Sequence, residues 1–338
     1  MTEVEAGIAR EKPATVYDVA RVAGVSAQTV SRLVKGFEGI RPETRERVEA
    51  AIAELGYRPN QAARLLRTRK SRRIGALVHE MFESGPAQLL RGAAMEARAA
   101  GYSLNIVGVD GNDEAAIAEA FDAFEEEQVA GILAVTLTDG VRSVVEGRPF
   151  DIPIIVDPAD AQTEAPTTSQ SGASVVAAHL LELGHRRVAF LGGPEAWKPA
   201  RQRREQFLAD IVAGGGECAA EWAGDWSPSF GDRAAAEFDA ASGITAVFAA
   251  NDAMAIGFMH RLALRGIRVP EDVSVVGFDD IPESAYLTPP LTTVRPAFEQ
   301  EGRAAIDALL AEIEDRPRAR LQHPGGELVI RESTAPRG

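Results

Sequence analysis

Near the N-terminus the chain contains two short stripes of apolar residues, separated by a glycine. Both stripes repeat at helical spacing, and the second follows Ser26, a residue type that favours the start of a helix. Gly24 lies between them and tolerates the backbone angles of a tight turn. The first stripe consists of Val16, Val19, Ala20 and Ala23, and the second of Val30, Leu33 and Val34. The pattern predicts a helix, a tight turn and a second helix over residues 15–35.

A third apolar stripe follows a glycine-containing loop at 35–41. Pro42 suits the first turn of a helix, and Gly56 is a suitable residue to end one. The stripe consists of Val48, Ala51, Ile52 and Leu55. We expect it to close a three-helix domain over residues 15–59, with a disordered leader at 1–14.

From Ile74 onward, short apolar runs alternate with helical segments. The predicted strands are 74–78, 103–109, 131–135, 152–157, 187–193, a short strand near Trp222, 246–252, 273–280 and 327–333. The predicted helices are 88–100, 113–128, 172–183, 200–213, 231–241, 253–265 and 298–313, and 136–151 is helix or loop. This alternation is typical of α/β proteins with doubly wound parallel sheets.

We expect two such lobes within a core over residues 74–338. The first lobe is expected over about 74–160 and 292–322, and the second over about 161–291 and 323–338. Ligands in such sheets bind at the carboxyl ends of the strands. Polar residues at predicted strand ends are Asp157, Asn251 and Asp279. Either aspartate could instead cap a following loop or helix.

Charge divides the chain in the same place as the pattern. The net charge is −14 over 338 residues. Residues 1–73 nevertheless hold 15 Lys and Arg against 9 Asp and Glu, whereas the remainder holds 21 against 41. A basic N-terminal part on an acidic body indicates that only the former meets phosphate groups.

The exposed side of the second helix has the chemistry needed to read DNA bases. Ala27, Gln28 and Arg32 point away from its apolar stripe. Glutamine can bond the adenine edge and arginine the guanine edge, each through two hydrogen bonds. The second helix of a helix-turn-helix unit enters the major groove. The alternative is an ordinary helical hairpin with a solvated polar face.

Residues 60–73 join the two parts of the chain. Residues 61–73 contain six basic residues and no acidic one, with Leu65 and Leu66 among them. Such a segment could fold on DNA and present an apolar wedge to the minor groove. It could equally be a flexible basic linker.

Several function classes are not expected. The single cysteine, Cys218, excludes an internal disulfide, and the five histidines have no metal-ligand spacing. Phosphate-binding loops, nucleophile elbows and dinucleotide fingerprints are absent, so we expect no catalytic residue, cofactor or metal. The N-terminus has no apolar segment of signal-peptide length, and no apolar run is long enough for a bilayer. We therefore expect a cytoplasmic protein that is not an enzyme.

Five longer motifs point to a known family. They are YDVARVAGVSAQTVSR, PNQAARLL, LGHRRVAFLGGP, AANDAMAIG and VPEDVSVVGFDDIPESAYLTPPLTTVR. With these motifs the chain resembles the lactose/galactose repressor (LacI–GalR) family of bacterial transcription regulators from Thr15 to about Ala335. The resemblance implies a homodimer with an all-α helix-turn-helix head, a hinge and a two-lobed core like that of periplasmic binding proteins. The family's tetramerising tail is not found after the last predicted strand, so we expect a dimer.

The resemblance also implies roles for individual residues in DNA binding. By the family pattern, Ala27, Gln28 and Arg32 face the major groove, although alanine is small for a base-reading position. The positions that match backbone-contacting or head-packing residues are Thr15, Tyr17, Ser26, Thr29, Ser31, Thr44 and Tyr57. In the hinge, Asn60, Ala63 and Leu66 match, and Leu66 is the residue implied to insert at the operator centre.

The core pocket resembles the lactose branch of the family most. Its implied effector-binding residues are Leu89 at the pocket mouth together with Asp157, Arg201, Trp226, Asn251, Asp279 and Phe298. Aspartate, asparagine and arginine can bond adjacent hydroxyls, and the aromatic rings offer flat faces to a sugar. Trp226 could instead belong to the core. The segment 158–171 is shorter than in that branch.

The sequence therefore predicts a repressor that a sugar, such as a galactoside or related glycoside, releases from a palindromic operator. One alternative is a repressor that needs a purine or another small metabolite as corepressor. A further alternative is a sugar-binding protein with no DNA function.

Overall fold

The computed structural model describes residues 14–34, 37, 39–57, 71–135, 138–156, 166–317 and 325–337. The chain forms two compact units, Met1–Lys70 and Ser71–Gly338. Among the described residues, no helix combines the length and the apolar character needed to span a membrane.

The described part of the first unit contains three helices around one small core. They are α1 (Val16–Ala23), α2 (Ala27–Val34) and α3 (Pro42–Glu54). The predicted stripes supply the core, in which Val19, Val30 and Val48 are fully buried. Gly24 ends α1 with a φ of 64°. Since few residues other than glycine adopt this angle readily, Gly24 permits the tight turn into α2.

The second unit begins with a four-stranded sheet that forms the centre of the first lobe. Its strands are β1 (Arg73–Val78), β2 (Ser103–Gly108), β3 (Ile132–Val135) and β4 (Ile154–Val156). They are all parallel, in the order β2-β1-β3-β4. The intervening helices are α4 (Ser84–Ala99), α5 (Glu114–Glu126) and α6 (Asp139–Gly147). Ile74 and Ala76 of β1 belong to one buried cluster and Leu77 to another, as expected for a sheet covered on both faces.

The second lobe is built on a six-stranded sheet. Its strands are β5 (Arg187–Gly192), β6 (Glu217–Ala223), β7 (Ala246–Ala249), β8 (Ser274–Phe278), β9 (Thr292–Pro296) and β10 (Gly326–Val329). The order is β10-β9-β8-β7-β5-β6, and all neighbours are parallel except the pair β9 and β10. The helices are α7 (Thr168–Glu182), α8 (Lys198–Ala213), α9 (Pro228–Glu237) and α10 (Asp252–Leu264), with 3-10 turns at Ala240–Ser242 and Pro282–Tyr286.

One border between the lobes differs from the prediction. We expected the chain to return to the first lobe at residue 292, and no strand was predicted there. Instead β9 pairs with β8 inside the second sheet, and the return follows it with α11 (Phe298–Ile313). Thr292 and Thr293 are fully buried yet polar, so β9 lacks the continuous apolar run that marks a buried strand.

Glycines allow one pair of helices in each lobe to pack backbone against backbone. A Cβ on Gly92 of α4 would lie 1.9 Å from the Glu299 carbonyl oxygen, and one on Gly302 of α11 would lie 2.0 Å from that of Leu89. In the second lobe, α9 and α10 meet in the same reciprocal way through Gly231 and Gly257. Leu89 also lines the cavity described below, so this close packing fixes one of its walls.

Candidate functional site

The first two helices of the N-terminal unit are capped by polar side chains at their starts. Thr15 and Asp18 form a reciprocal capping box, in which the Thr15 amide donates to Asp18 Oδ2 at 2.9 Å. Ser26 Oγ accepts from the Thr29 amide at 3.1 Å and thereby begins α2. Two of the residues implied to contact DNA, Thr15 and Ser26, therefore also cap the starts of the two helices.

The exposed residues of this unit form a candidate DNA-binding surface. Thr15, Tyr17, Ser26, Gln28 and Arg32 are exposed, and Tyr17 retains 74% of its accessible surface. The other predicted contacts are partly buried, namely Ala27, Thr29, Ser31, Thr44 and Tyr57. Asn60, Ala63 and Leu66 lie outside the described residues.

In the second unit, a cavity opens between the two lobes. The first lobe lines it with α4 and α11, and the second with residues at or beyond the carboxyl ends of its strands. Five predicted effector-binding residues line it, namely Leu89, Trp226, Asn251, Asp279 and Phe298. Asp157 lies outside the described residues.

Arg201 does not line this cavity, and its role in effector binding stays a prediction. Its guanidinium donates to Asp139 Oδ1 of the first lobe at 3.0 Å and to the Glu195 carbonyl. The arginine that lines the cavity is Arg203. Residues two apart point to different sides of a helix, so Arg201 and Arg203 of α8 cannot occupy the same site.

Arg203 is buried at the base of the cavity and has several partners. It donates to the Ala250 carbonyl, and its Cζ lies 3.6 Å from the centre of the Phe278 ring. Its Nη2 lies 3.9 Å from Asp279 Oδ1. Burial lowers the pKa of Arg203 to about 10, while Asp279 and Asp252 oppose that shift. Its Nε is buried and has no hydrogen-bond partner.

Trp226 forms an aromatic wall of the cavity. Its carbonyl accepts from Asn251 Nδ2 at 2.9 Å, while Asn251 Oδ1 accepts from the Met254 amide at 2.9 Å and caps α10. The φ of Trp226 is 67°, a strained angle for a large side chain. Its buried Nε1 has no hydrogen-bond partner. Asn251 therefore positions the tryptophan, and the indole keeps an unsatisfied donor.

Sequence reasoning missed several lining residues besides Arg203. Trp197 packs edge-on against Trp226 with ring centroids 5.7 Å apart. Glu83 precedes α4, and Glu301 lies in the first turn of α11, where it accepts a hydrogen bond from Thr168 of the second lobe. For Arg203 a signal was present, since Ala200, Arg203, Phe207 and Ile211 share one helical stripe and are all buried. A charged residue on an apolar stripe marks a buried polar site.

The buried carboxylates predict how stability depends on pH. Burial raises the pKa of Asp279 to about 8, with Asp252 and Glu83 adding to the shift and Arg203 opposing it. Burial also raises the pKa of Asp252 to about 6. The folded state holds these protons more tightly than the unfolded chain does. The stability that the protonated carboxyls give to the folded state is therefore lost as the pH rises through their pKa values of about 6 and about 8.

We expect the free energy of unfolding to fall by roughly 1 kcal/mol between pH 6.5 and 8. Burial lowers the pKa of His179 and His185, so their contribution rises with pH through the usual histidine range and offsets part of this fall. Urea unfolding across this range measures the slope, and Asp279→Asn should flatten it. An equal slope in the variant would assign the dependence to other groups.

Two further findings concern the chemistry of the chain. Among the described residues, no group of three or more His, Cys, Asp and Glu could hold a metal ion. Burial raises the pKa of the Cys218 thiol to about 11, which opposes formation of a reactive thiolate. The second unit thus has the properties of a ligand-binding domain, with a cavity lined by aromatic, amide and charged groups.

Comparison with known proteins assigns one family to the first unit of the chain and another to the second. Residues 15–60 match the family described as "Bacterial regulatory proteins, lacI family", and residues 177–334 match "Periplasmic binding protein-like domain". The lactose operon repressor of Escherichia coli (strain K12) is 34% identical over 307 residues, covering 88% of this chain and 84% of that protein. The transcriptional repressor PurR of Vibrio vulnificus (strain CMCP6) is 32% identical over 342 residues, covering 95% and 98%.

Solved structures extend the comparison to the fold. A lac repressor dimer bound to operator and the anti-inducer ONPF has a TM-score of 0.85 at 32% identity, covering 96% of this chain and 100% of that one. A complex of the regulator CelR with cellobiose has a TM-score of 0.65 at 29% identity, covering 95% and 99%. The chain thus belongs to the lacI family of bacterial regulatory proteins and is a DNA-binding transcriptional repressor, not an enzyme.

Proposed function

We propose that this repressor binds a palindromic operator as a homodimer and is released when a sugar occupies the cavity between its lobes. The cavity is the observation that supports the sugar. Flat aromatic faces lie beside an amide, a carboxylate and an arginine, which together suit the apolar and hydroxyl faces of a pyranose. A galactoside or a related glycoside is the effector that we test first.

The mechanism follows from the position of the cavity. Since both lobes line it, a bound sugar favours one arrangement of the lobes over another. We propose that this arrangement separates the hinge segments 60–73 of the dimer and withdraws Leu66 from the centre of the operator. By linkage, operator DNA must weaken sugar binding by the same factor by which the sugar weakens operator binding.

Fluorescence anisotropy on DNA from upstream of its own gene and neighbouring genes tests the proposal. The panel contains lactose, galactose, cellobiose, maltose, xylose and a purine control. Release by a sugar, with sugar affinity reduced by operator DNA, is the expected result. Tighter operator binding with the purine would favour the corepressor alternative, to which the 32% identity with PurR lends weight.

A substitution beneath Trp226 should separate sugar response from DNA binding. A Cβ on Gly193 would lie 2.3 Å from ring carbons of Trp226, so Gly193→Ala must displace the indole. We expect sugar affinity to fall at least tenfold while operator affinity stays within about twofold, measured by calorimetry and anisotropy. Unchanged sugar affinity would contradict the role of Trp226 as a wall of the site.

A substitution on α2 should affect only DNA recognition. Arg32 is exposed near the C-terminal end of that helix. We expect Arg32→Ala to relax discrimination at one base pair by roughly 1–3 kcal/mol, because a bidentate contact to guanine is lost. Binding to a set of single-base operator variants measures this, and an unchanged base preference would exclude the assigned role.

A further inference from the structure

A buried clasp joins the two lobes beside the cavity. The clasp consists of His79, Gly111 and Thr138 of the first lobe and Trp197 of the second. Thr138 and Trp197 form an antiparallel backbone bridge, although they belong to different lobes. The side chains of His79, Thr138 and Trp197 each retain no more than 7% of their accessible surface. The lobes therefore meet here through a buried contact and not only through surface side chains.

The first-lobe side of the clasp is held by its own hydrogen bonds. The Gly111 amide donates to His79 Nδ1 at 2.9 Å, and Thr138 Oγ1 donates to the Gly111 carbonyl at 2.7 Å. Thr138 is the N-cap residue of α6, yet its side chain makes no capping hydrogen bond. A threonine at this position commonly caps its helix. Here the hydroxyl instead ties the start of α6 to Gly111, so the three residues present one fixed surface to Trp197.

Trp197 connects this surface to the wall of the cavity. Its ring centroid lies 5.2 Å from that of His79 in the first lobe and 5.7 Å from that of Trp226 in the second. Trp197 and Trp226 both line the cavity, whereas the described first-lobe residues of the clasp do not. A change at the first-lobe end of the clasp can therefore alter the arrangement of the lobes without removing a group from the cavity wall.

A second contact between the lobes lies close by in the sequence and differs in burial. Arg201 of α8 pairs with Asp139 of α6 at 3.0 Å. The side chains of Arg201 and Asp139 remain 34% and 75% exposed. Ion pairs that are this well solvated contribute little to the free energy of a contact. We therefore expect loss of the buried clasp to disturb the lobes more than loss of this ion pair.

We propose that the clasp couples effector binding to the arrangement of the lobes, with Trp197 as its positioning residue. The clasp and the two-sided cavity wall occur in the same arrangement, so the clasp and a sugar that contacts both lobes stabilise that arrangement together. The inference rests on the proposed function, in which the sugar-bound arrangement releases the operator. The clasp thus lowers the sugar concentration that release requires. Without it, the repressor binds its operator and responds only to more sugar.

A variant outside the cavity tests the coupling on the full chain. His79→Asn keeps an acceptor for the Gly111 amide, because asparagine Oδ1 and histidine Nδ1 are both bonded to Cγ, but it removes the ring beside Trp197. In the anisotropy assay, the concentration of the releasing sugar from the panel at half-maximal release should rise at least fivefold. Operator affinity without sugar should stay equal or become up to about threefold tighter.

Three results of this experiment overturn the inference. They are an unchanged sugar requirement, a lower sugar requirement with weaker operator binding, and a parallel loss of both affinities, which indicates a merely structural role. If His79→Asn does not fold, Gly111→Ala takes its place. A Cβ on Gly111 would lie 2.7 Å from Thr138 Oγ1 and 3.0 Å from His79 Cγ, so it must displace the clasp.

Two further variants assign the effect to Trp197. Arg201→Met is the matched control, since it removes a solvated contact between the same lobes, and the sugar requirement should change by less than about threefold. In a Trp197→Leu background, His79→Asn should change sugar affinity by less than about twofold, because the partner ring is already gone. Additive losses would exclude Trp197 as the partner. If Trp197→Leu binds no sugar, a cross-link decides.

The cross-link needs no sugar. Residues directly opposite in an antiparallel pair have Cα atoms about 4.5–5.5 Å apart, a distance that a disulfide spans. Thr138→Cys combined with Trp197→Cys should therefore join the lobes, and the oxidised and reduced forms differ only in that bond. We expect oxidation to weaken operator binding at least tenfold and reduction to restore it. The unaltered protein, whose single cysteine is Cys218, is the control for the oxidant.

The remaining outcomes separate this inference from the proposed function. Operator binding that oxidation leaves unchanged or tightens overturns the clasp, and failure of the disulfide to form contradicts the backbone bridge on which it depends. If a sugar releases the operator while the clasp variants leave its required concentration unchanged, the proposed function stands and the clasp fails. Release by no sugar, or tightening by a purine, contradicts the proposed function itself.

Discussion

Replacing Arg203 with methionine is expected to give a repressor that binds its operator and no longer responds to its effector. Methionine fills much of the same volume, but it removes the contact with the Ala250 carbonyl and the charge beside Asp279. Loss of a buried, hydrogen-bonded charge from a binding site costs about 2–5 kcal/mol. We expect effector affinity to fall on the order of 100-fold or more, measured by calorimetry, with no release of operator in the anisotropy assay.

Two controls make this prediction specific. Arg201→Met removes an arginine from the same helix but outside the cavity, and effector affinity should change by less than about threefold. Arg203→Met leaves Asp279 without its cationic partner, which should destabilise the core by roughly 3 kcal/mol at a pH above the Asp279 pKa of about 8. The double variant with Asp279→Asn should recover much of that stability and none of the affinity. Loss of the effector response in Arg201→Met but not in Arg203→Met would support the role predicted for Arg201 from the sequence.

Replacing Gly302 with alanine is expected to produce a large loss of stability in the core. The new methyl group would lie 2.0 Å from the Leu89 carbonyl oxygen and 2.9 Å from the Ala93 amide nitrogen. Both are backbone atoms within α4, so relief requires the two helices to move apart. We expect the free energy of unfolding to fall by about 3 kcal/mol or more, measured by urea unfolding.

Gly147 provides the matched control for this substitution. It lies at the end of α6, and a Cβ there would meet nothing within 4 Å. Gly147→Ala should therefore leave stability unchanged or raise it by up to ~1 kcal/mol, because alanine favours the helix. A loss in Gly302→Ala no larger than about 0.5 kcal/mol would show that α4 and α11 separate easily.

Local pattern was enough to predict most of the fold. The stripes of α1 to α3 and the alternation of β1 to β8 with helices are properties of neighbouring residues, and periodicity captures them. The predicted helix 298–313 has the same limits as α11. The start of α7 was placed four residues late, because Thr168–Ser171 contains no apolar residue, although Thr167 caps this helix by a capping box.

The candidate site was predicted less completely, and for a physical reason. Asn251 and Asp279 follow strands, so the rule of strand ends found their edge of the sheet, whereas Trp226 was named only by the family resemblance. Glu301 could not be found in this way, because its partner Thr168 is 133 positions away and belongs to the other lobe. Contacts between the lobes depend on how the two lobes pack against each other. The periodicity of neighbouring residues contains no information about this packing.

The placement of α11 also bears on how the chain is made. The helix comes after almost the whole second lobe in the sequence, yet it packs through Gly302 against α4 of the first lobe. On the ribosome, β1 to β4 therefore emerge long before the helix that covers them. Their apolar face stays uncovered by α11 while about 140 further residues are synthesised. The first lobe to be synthesised thus stays incomplete until most of the chain has been made, so translation of this repressor exposes an unfinished sheet until Ile313 has left the exit tunnel.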